Sequence, residues 1–361
     1  MKHLDEHIKS IASALDIWLR PDNRSLKEAI DRTVDEGLFS FEDVKHQIRH
    51  LKKSVNENTL MKWVRTVGLN KLSTSDKNVV CLHAGNLPLV GFQDLLSVTI
   101  AGAGYSGKIS SKDPYLLPTI LETFEGSEVL GERKWSTSLS DLSNTNTDAV
   151  IFAGSEDSVD SVLEKLKLLK IADEKTPKFI RTAHFSIAFI TNHNKKTMAD
   201  LSEAVFRYGG TGCRSVAIVI APFSLNSQKC HFTDYAESFW IKNPQHEKPD
   251  ETLFYRYATN KAINISQAWL DDFLIEETFK YPNEKYVLHW IQGDENTLVE
   301  VVDNLRSGLQ TVYTEDGLAP KSIQSNLNIQ LDKLENAQTP EIWWKPDGID
   351  TIEWLINHFK L

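Results

Sequence analysis

One cysteine of the chain stands in a setting that would expose a reactive thiol. Cys213 follows the stretch Gly209-Gly-Thr-Gly212 and precedes Arg214, in the sequence GGTGCRSV. Glycines let a backbone approach a ligand closely, and nearby N–H groups or a cation favour the thiolate, which is the nucleophilic form. A lone cysteine is also commonly a small buried residue. The sequence therefore leaves two interpretations of Cys213 open, a nucleophile and a core residue.

A second candidate is Asn86, in the sequence AGNLPLVG directly after a predicted strand. Its side-chain amide could donate a hydrogen bond to a developing oxyanion. Pro88 fixes the backbone after it and favours an extended Leu87. Asparagine and proline are also common in turns, so a purely structural turn is the alternative.

Two further stretches could hold a phosphate or a ribose. Lys108, in GKISSKDP, follows a glycine at the end of a predicted strand, and the hydroxyls of Ser110 and Ser111 lie close to it in sequence. The alternative is a solvated lysine in a loop. Gly154 and Ser155 separate the strand DAVIFA from a helix, where free N–H groups and the helix dipole suit an anion. No GxGxxG fingerprint is present, so a standard Rossmann dinucleotide site is not supported.

Other kinds of chemistry find no support in the sequence. There is no GxSxG elbow and no HExxH motif, and the 11 histidines lack metal-ligand spacing. We therefore predict no metal site. Three scattered cysteines, Cys81, Cys213 and Cys230, form neither a CxxC pair nor a disulfide framework, which is typical of a reducing compartment.

Charge and hydropathy restrict the partners and the location. The formal net charge is -10 and the basic residues are dispersed, whereas nucleic-acid binding needs clustered Lys and Arg. No stretch is apolar enough to span a bilayer, and the N-terminus lacks the apolar core of a signal peptide. We therefore expect a cytoplasmic protein without a nucleic-acid partner or a membrane span.

The elements that would position these residues alternate between strands and helices. Strands are predicted at VVCLHAG, YSGKISS, DAVIFAGS and SIAFITN, with helices at GFQDLLSVTIAGAG, 114–124, SVDSVLEKLKLLK and 196–206. RSVAIVIAP, YVLHWIQ and LQTVYTE are further strands, and ENTLVEVVDNLRS is a helix. This alternation predicts an α/β fold with a parallel sheet covered by helices on both faces.

The flanking regions have a different character. Residues 1–70 are predicted to be helical, with one helix starting near Ser25, where Ser25-Leu-Lys-Glu28 has the form of a capping box, and another at Ser40. Residues 225–265 are predicted to be irregular. A chain of 361 residues that is 41% apolar suits two domains, and we place the boundary near residue 206.

The order of AGNLPLVG, GKISSKDP, FAGS and GTGCRSV resembles the acyl-CoA reductases of the LuxC type, a branch of the aldehyde dehydrogenase superfamily. The resemblance runs from about residue 79 to 220, and a weaker resemblance is found in LQTVYTE and WWKPDGIDT. It implies that Cys213 is the catalytic cysteine. It also implies that Asn86 and the backbone N–H of Cys213 form the oxyanion hole.

The resemblance also implies a cofactor site for NADPH. Lys108, if a gap of one residue is allowed, falls on the lysine that contacts the adenosine ribose or its 2′-phosphate, with Ser110 beside it. Gly154 and Ser155 fall on the glycine turn next to the cofactor. Glu277, in EETFKYP, is the counterpart of a glutamate that holds the nicotinamide ribose, although the spacing of its motif departs by one residue.

The implied fold is aldehyde dehydrogenase-like, with two α/β domains. Residues 1–205 would form N-terminal helices and a cofactor-binding domain, 206–308 a catalytic cysteine domain, and 309–361 a segment returning to the cofactor-binding domain. The implied activity is NADPH-dependent reduction of a fatty acyl-CoA or acyl thioester to the aldehyde through an acyl-cysteine.

Two alternatives to that activity remain open. One is a hydrolytic aldehyde dehydrogenase, although the strand HFSIAFITN lacks the acid that activates water in such enzymes. The other is a non-catalytic partner or scaffold with the same fold. The resemblance allows acyl-CoA or an acyl-protein as the donor, an acyl-transferase or synthetase as a partner, and a homo-oligomer.

Overall fold

The computed structural model describes residues 2–73, 76–227, 232–244, 251–270, 273–282, 284–324, 327 and 329–361. Cys230 lies outside these residues. The chain forms two compact units, a first unit of Met1–Thr182 with Glu341–Leu361 and a second unit of Ala183–Pro340. This division differs from the sequence-based boundary at residue 206, because a strand and a helix that precede the glycine turn pack with the strand that follows it.

The first unit begins with four helices, as predicted for residues 1–70: α1 (Lys2–Trp18), α2 (Arg24–Asp35), α3 (Phe41–Ser54) and α4 (Glu57–Val67). Ser40 caps α3 as predicted, since its hydroxyl accepts a hydrogen bond from the N–H of Asp43 at 3.1 Å. The predicted capping box at Ser25 is wrong. The cap of α2 is Asn23, whose side chain accepts from the N–H of Leu26 at 3.0 Å, so Ser25 lies inside the helix.

A five-stranded parallel sheet follows, in the order β3-β2-β1-β4-β5. Its strands are β1 (Asn78–Leu82), β2 (Gly104–Lys108), β3 (Arg133–Ser136), β4 (Ala149–Ala153) and β5 (Lys178–Arg181). The helices between them are α5 (Phe92–Ile100), α6 (Leu116–Glu125) and α7 (Val159–Leu168). The predicted strands and helices here are confirmed. The strands β3 and β5 were not predicted, because these edge strands are short and carry charged residues.

The second unit contains a seven-stranded sheet in the order β12-β11-β6-β7-β10-β9-β8. Its strands are β6 (Phe185–Phe189), β7 (Val216–Ala221), β8 (Gln267–Leu270), β9 (Phe273–Glu276), β10 (Val287–Gln292), β11 (Leu309–Thr314) and β12 (Leu331–Lys333). The described pairings are parallel except for that of β8 with β9. The α/β class predicted from the alternation is therefore confirmed.

Four helices accompany this sheet: α8 (Lys195–Phe206), α9 (Phe232–Lys242), α10 (Glu251–Ala262) and α11 (Glu295–Leu305). The prediction that 225–265 is irregular is wrong, because α9 and α10 lie there. The sequence carried a signal for α9: Phe232, Ala236 and Phe239 are buried, and their spacing places them on one face of a helix.

The C-terminal residues from Glu341 belong to the first unit, and they end in helix α12 (Thr351–Phe359). The indole N–H of Trp63 donates to Asp350 Oδ2 at 2.8 Å, and the amide of Gln93 donates to the carbonyl of Ile342 at 3.0 Å. The predicted returning segment, 309–361, is thus divided in the structure, since β11 and β12 pair within the second sheet. Within the described part of the chain, every helix is too short or too polar to cross a bilayer.

Candidate active site

Asn86 lies in the loop between β1 and α5 of the first unit. Gly85, Leu87, Pro88 and Leu89 around it are all buried, whereas Asn86 itself is exposed. A loop packed on both sides of one exposed polar residue holds that residue's backbone in place. The amide of Asn86 is therefore presented from a fixed backbone, which an oxyanion donor requires.

Two contacts fix this loop. Leu89 has a left-handed φ of 59°, and its N–H donates to Oδ2 of the buried Asp113 at 2.7 Å. Gly85 lies so close to the loop after β2 that a Cβ atom there would be 2.1 Å from Ser110 Oγ. The AGNLPLVG and GKISSKDP sequences therefore form one packed structure, which sequence reasoning treated as two separate sites.

Asp113 was missed from the sequence, where it appears as one acid in a polar loop. Burial raises the pKa of its carboxyl to about 7, although the backbone N–H groups of Leu89 and Leu116 act in the opposite direction. A carboxylate that accepts only backbone N–H groups lacks a compensating positive charge. Its ionisation is therefore unfavourable in the folded protein.

The predicted cofactor residues of the first unit lie at the carboxyl ends of its strands. Lys108 is the last residue of β2, and burial lowers the pKa of its half-buried amine. The Oγ of Ser110 accepts a hydrogen bond from the N–H of Lys112 at 3.2 Å. In open α/β sheets, ligands bind outside the carboxyl ends of the strands, so these positions suit a cofactor.

Gly154 and Ser155 follow β4. A Cβ atom at Gly154 would be 2.4 Å from the ring of Phe152, so a larger residue here would have to displace that ring. Ser155 precedes a short turn of 3-10 helix that contains Glu156 and Asp157. Two acids beside this turn disfavour a phosphate there and suit a hydroxyl-bearing group such as a ribose.

A buried polar cluster lies below these loops in the first unit. His83 Nε2 is 2.6 Å from the hydroxyl of Tyr105, and Arg181 pairs with Asp94. Burial lowers the pKa of His83 to about 4, against the opposing charge of Asp94. His83 is therefore neutral near pH 7, as expected of a partly buried polar residue that supports the core.

The glycine turn before Cys213, in the second unit, has a backbone that few other sequences could adopt. Tyr208, Gly209, Gly210 and Gly212 have φ values of 59°, 67°, 69° and 103°. Glycine adopts such values without strain, whereas other residues rarely do. The turn leads into Cys213, which is half-buried and lies just before β7.

Hydrogen bonds hold the backbone on both sides of this cysteine. The hydroxyl of Ser186 donates to the carbonyl oxygen of Cys213 at 2.7 Å. The N–H of Ser215 donates to the carbonyl of Gly212 at 3.0 Å, and its hydroxyl donates to the carbonyl of Thr211 at 2.7 Å. Neither serine was singled out from the sequence, because a serine within or next to a strand carries no distinctive pattern.

Glu277 follows β9 in the same unit. Its carboxylate accepts a hydrogen bond from the N–H of Leu225 at 2.6 Å, and its own N–H donates to the carbonyl of Ser266 at 2.8 Å. One carboxylate oxygen of Glu277 thus supports the loop after β7.

The preceding residue, Glu276, is completely buried and was also missed. Arg256 donates to both of its oxygens, at 2.9 and 2.6 Å, and Asn260 and Thr278 each donate at 2.6 Å. Burial alone would raise the pKa of Glu276. Hydrogen bonds from His289, Arg256, Thr278 and Asn260 outweigh burial and hold that pKa well below its usual range.

The predicted residues are distributed over both units. Asn86, Lys108, Ser110, Gly154 and Ser155 belong to the first unit, and the structure brings the Asn86 loop together with the Ser110 loop. Cys213 and Glu277 belong to the second unit. Among the residues that the structure describes, no group of three or more His, Cys, Asp or Glu side chains could hold a metal ion.

The sequence matches no protein-family model, and a comparison with curated proteins gives no significant match. Solved structures do match. A benzaldehyde dehydrogenase from Corynebacterium glutamicum, described as NAD-dependent, aligns with a TM-score of 0.61 and 12% identity over 90% of this chain and 80% of its own. A succinic semialdehyde dehydrogenase from Streptococcus pyogenes, solved with NADP+, aligns with a TM-score of 0.58 and 13% identity over 87% and 77%.

Proline Utilization A from Corynebacterium freiburgense aligns with a TM-score of 0.58 and 13% identity over 87% of this chain. The chain spans only 37% of the length of that protein. Identities this low establish a common architecture and nothing finer. The predicted fold class is confirmed: this chain has an aldehyde dehydrogenase-like fold.

Proposed function

We propose that this protein reduces an acyl thioester, such as a fatty acyl-CoA, to the aldehyde with NADPH, through an acyl group carried on Cys213. The observation that carries the proposal is the position of Cys213 in an aldehyde dehydrogenase-like fold. It directly follows a turn with four left-handed residues. One of the four, Tyr208, is not a glycine, and non-glycine residues in this conformation cluster at functional sites.

The first chemical step would be acyl transfer to the cysteine. The thiolate of Cys213 attacks the acyl carbonyl, a carbon–sulfur bond forms, and the bond to the leaving CoA thiolate breaks. The amide of Asn86 and the N–H of Cys213 would donate to the oxyanion during this step. A thiolate leaves readily, so a general acid is not needed.

The residues of the first unit fit a nicotinamide cofactor. Lys108 offers a half-buried positive charge at the carboxyl end of β2, which suits the 2′-phosphate of NADPH. Gly154 leaves room at the end of β4, and Ser155 offers a hydroxyl. When bound, the cofactor supplies the hydride, while the protein supplies binding, orientation and electrostatics.

The composition of β6 favours a reductase over a hydrolase. Its sequence, FSIAF, contains no carboxylate, whereas hydrolytic relatives carry a water-activating glutamate on the corresponding strand. General-base assistance is typically worth about 10² to 10⁴ in rate. A thioester on Cys213 should therefore hydrolyse slowly enough to be reduced.

The proposal is tested by intact-mass spectrometry after mixing with acyl-CoA. The wild-type protein should gain the mass of one acyl group without NADPH, and adding NADPH should remove it and release aldehyde. Cys213→Ala should gain no acyl group, because the nucleophile is lost. Cys81→Ala is the matched control, since Cys81 is fully buried in β1, and it should still gain the acyl group.

Two other outcomes would each point to a different function. Rapid release of free fatty acid without an adduct would favour a hydrolytic aldehyde dehydrogenase. Unmodified Cys213 with every acyl-CoA length and with acylated carrier protein would favour a non-catalytic partner or scaffold.

The resemblance also extends the proposal to the acyl donor, the partner and the cellular location. The acyl group could come from acyl-CoA or from an acyl-protein, handed over by an acyl-transferase or synthetase partner. The protein would act in the cytoplasm, alone or as a homo-oligomer.

A further inference from the structure

The strand β6 changes register with the neighbouring strand β7 at one residue. Ser186 is paired with Val216, whereas the next residue, Ile187, is paired with Ile218. The strand β7 therefore contains one extra residue at this point. Such a β-bulge interrupts regular pairing and bends the strand locally.

A second change of register lies on the other side of β6. Phe185 is paired with Leu309 of β11, whereas Ile187 is paired with Val312. One residue of β6 thus lies opposite two residues of β11, and that residue is Ser186. Both ladders of this central strand are irregular at the same position, where bulges can re-aim a side chain.

The side chain at this position reaches the candidate nucleophile. Ser186 is completely buried, and its hydroxyl donates to the carbonyl oxygen of Cys213 at 2.7 Å. This hydrogen bond joins the centre of the sheet to the peptide group that follows the cysteine, across 27 residues of sequence.

A second buried side chain interacts with the serine. Tyr313, on β11, is 1% exposed, and burial raises the pKa of its phenol. The positive charge of Arg214 lowers that pKa, whereas the negative charges of Asp332 and of a Cys213 thiolate raise it further. The interaction of Tyr313 with the side chain of Ser186 lowers the pKa of the phenol slightly. The phenol therefore keeps its proton at neutral pH.

We infer that Ser186 is a positioning residue for Cys213. Its hydroxyl fixes the peptide group that follows the cysteine, and this restrains the Cys213 backbone, so that the thiol and the N–H of Cys213 are held in the relation that attack and oxyanion binding require. The inference rests on the proposed role of Cys213 as the nucleophile. It does not depend on which acyl donor the protein uses.

The test uses p-nitrophenyl acetate, an acyl donor that needs no recognition of CoA. Cys213 Sγ attacks the ester carbonyl, the carbon–sulfur bond forms, the bond to oxygen breaks, and p-nitrophenolate leaves. The burst of p-nitrophenolate measures acyl transfer to the cysteine. Alkylation by iodoacetamide, measured by intact mass on protein that carries both Cys81→Ala and Cys230→Ala, reports the accessibility of the Cys213 thiol with little demand on orientation.

Ser186→Ala should slow the burst by at least about tenfold, because small misplacements of reacting groups can cost up to about a hundredfold. Alkylation of Cys213 should change by less than about threefold. Ser202→Ala is the matched control, because the buried Ser202 also donates to a carbonyl, that of Met198 at 2.9 Å, and it should leave both rates unchanged.

Three results would overturn the inference. An unchanged burst in Ser186→Ala would show that the hydrogen bond does not position the cysteine. Equal losses of burst and alkylation would indicate that Ser186 acts on thiol exposure or folding. A wild-type protein without a burst would remove the nucleophile itself. Failure of the proposed function alone is distinguishable, since it would show as a normal burst with no acylation by acyl-CoA.

Discussion

Two buried carboxylates, one in each unit, have opposite electrostatic settings. Asp113 of the first unit accepts hydrogen bonds from backbone N–H groups only, and burial raises its pKa to about 7. Glu276 of the second unit is even more buried, yet Arg256 and three neutral or histidine donors hold its pKa below the usual range. The donors around a buried carboxylate, more than its burial, therefore decide whether it ionises.

The two carboxylates also support different candidate residues. Asp113 holds the N–H of Leu89, three residues after Asn86, and so fixes the loop of the oxyanion donor. Glu276 fixes the end of β9 directly before Glu277. Substitutions near Glu276 should therefore lower mainly the free energy of unfolding. Substitutions near Asp113 should change how that free energy depends on pH.

The largest effect is expected from breaking the charge pair of the second unit. Arg256→Ala would leave Glu276 buried without its cation, which typically costs about 3–5 kcal/mol in the free energy of unfolding. Urea denaturation measures this. Arg306→Ala is the control, because its pair with Asp303 is solvent-exposed, and such pairs contribute about 0–1 kcal/mol. Equal, small losses for both variants would contradict the importance assigned to Glu276.

The next effect tests the loop that Asp113 supports. Asn86→Ala should lower the rate of acyl transfer on the order of a hundredfold, since that is the usual loss on removing one oxyanion donor. The exposed side chain contributes little packing, so the melting temperature should hardly change. Steady-state rates and thermal melts measure the two quantities. A lower melting temperature with an unchanged rate would support the turn interpretation of Asn86.

A smaller effect concerns pH. The folded-state pKa of Asp113, about 7, lies above its ordinary value of 3.8, so the folded state binds more protons between these values. Its ionisation therefore lowers stability as pH rises from about 4 to 7. Glu276 behaves oppositely, since its contribution is present above its unfolded pKa and is lost only in acid.

The measurement is urea denaturation at several pH values from 5 to 8, for the wild-type protein and Asp113→Asn. The variant should gain stability relative to the wild type as pH rises from 5 to 8, by about 2.5 kcal/mol. Taking the difference cancels other groups, such as His83. Glu276→Gln should show no such relative gain. Parallel curves for Asp113→Asn and the wild type would mean that Asp113 does not titrate in this range.

The smallest expected effect concerns the cofactor. Lys108→Ala should weaken NADPH binding by about tenfold and NADH binding less, because a lost cation matters most to the 2′-phosphate. Fluorescence titration with both cofactors measures the ratio. Lys112→Ala is a control in the same loop. Equal weakening of the two cofactors by Lys108→Ala would show that Lys108 contacts no 2′-phosphate.

Sequence alone was sufficient for the alternating architecture and for most central strands. β1, β4, β7 and β10 are apolar runs, and strands that are buried on both faces produce such runs whatever their neighbours are. The edge strands β3, β5, β8 and β12 were missed, and so was the short inner strand β9. An edge strand is half-exposed and short, so its residues carry little periodic signal, and only its pairing partner makes it a strand.

The same distinction applies to the candidate site. The order of local motifs was enough to single out Cys213 and Asn86, because a glycine turn and an Asn-x-Pro loop each consist of consecutive residues. The side chains that hold their backbones, Ser186 and Asp113, could not be recognised in this way, and neither could the Glu276–Arg256 pair next to Glu277. Each lies far from its partner in sequence, and their roles depend on register, bulges and burial, which only the tertiary structure decides.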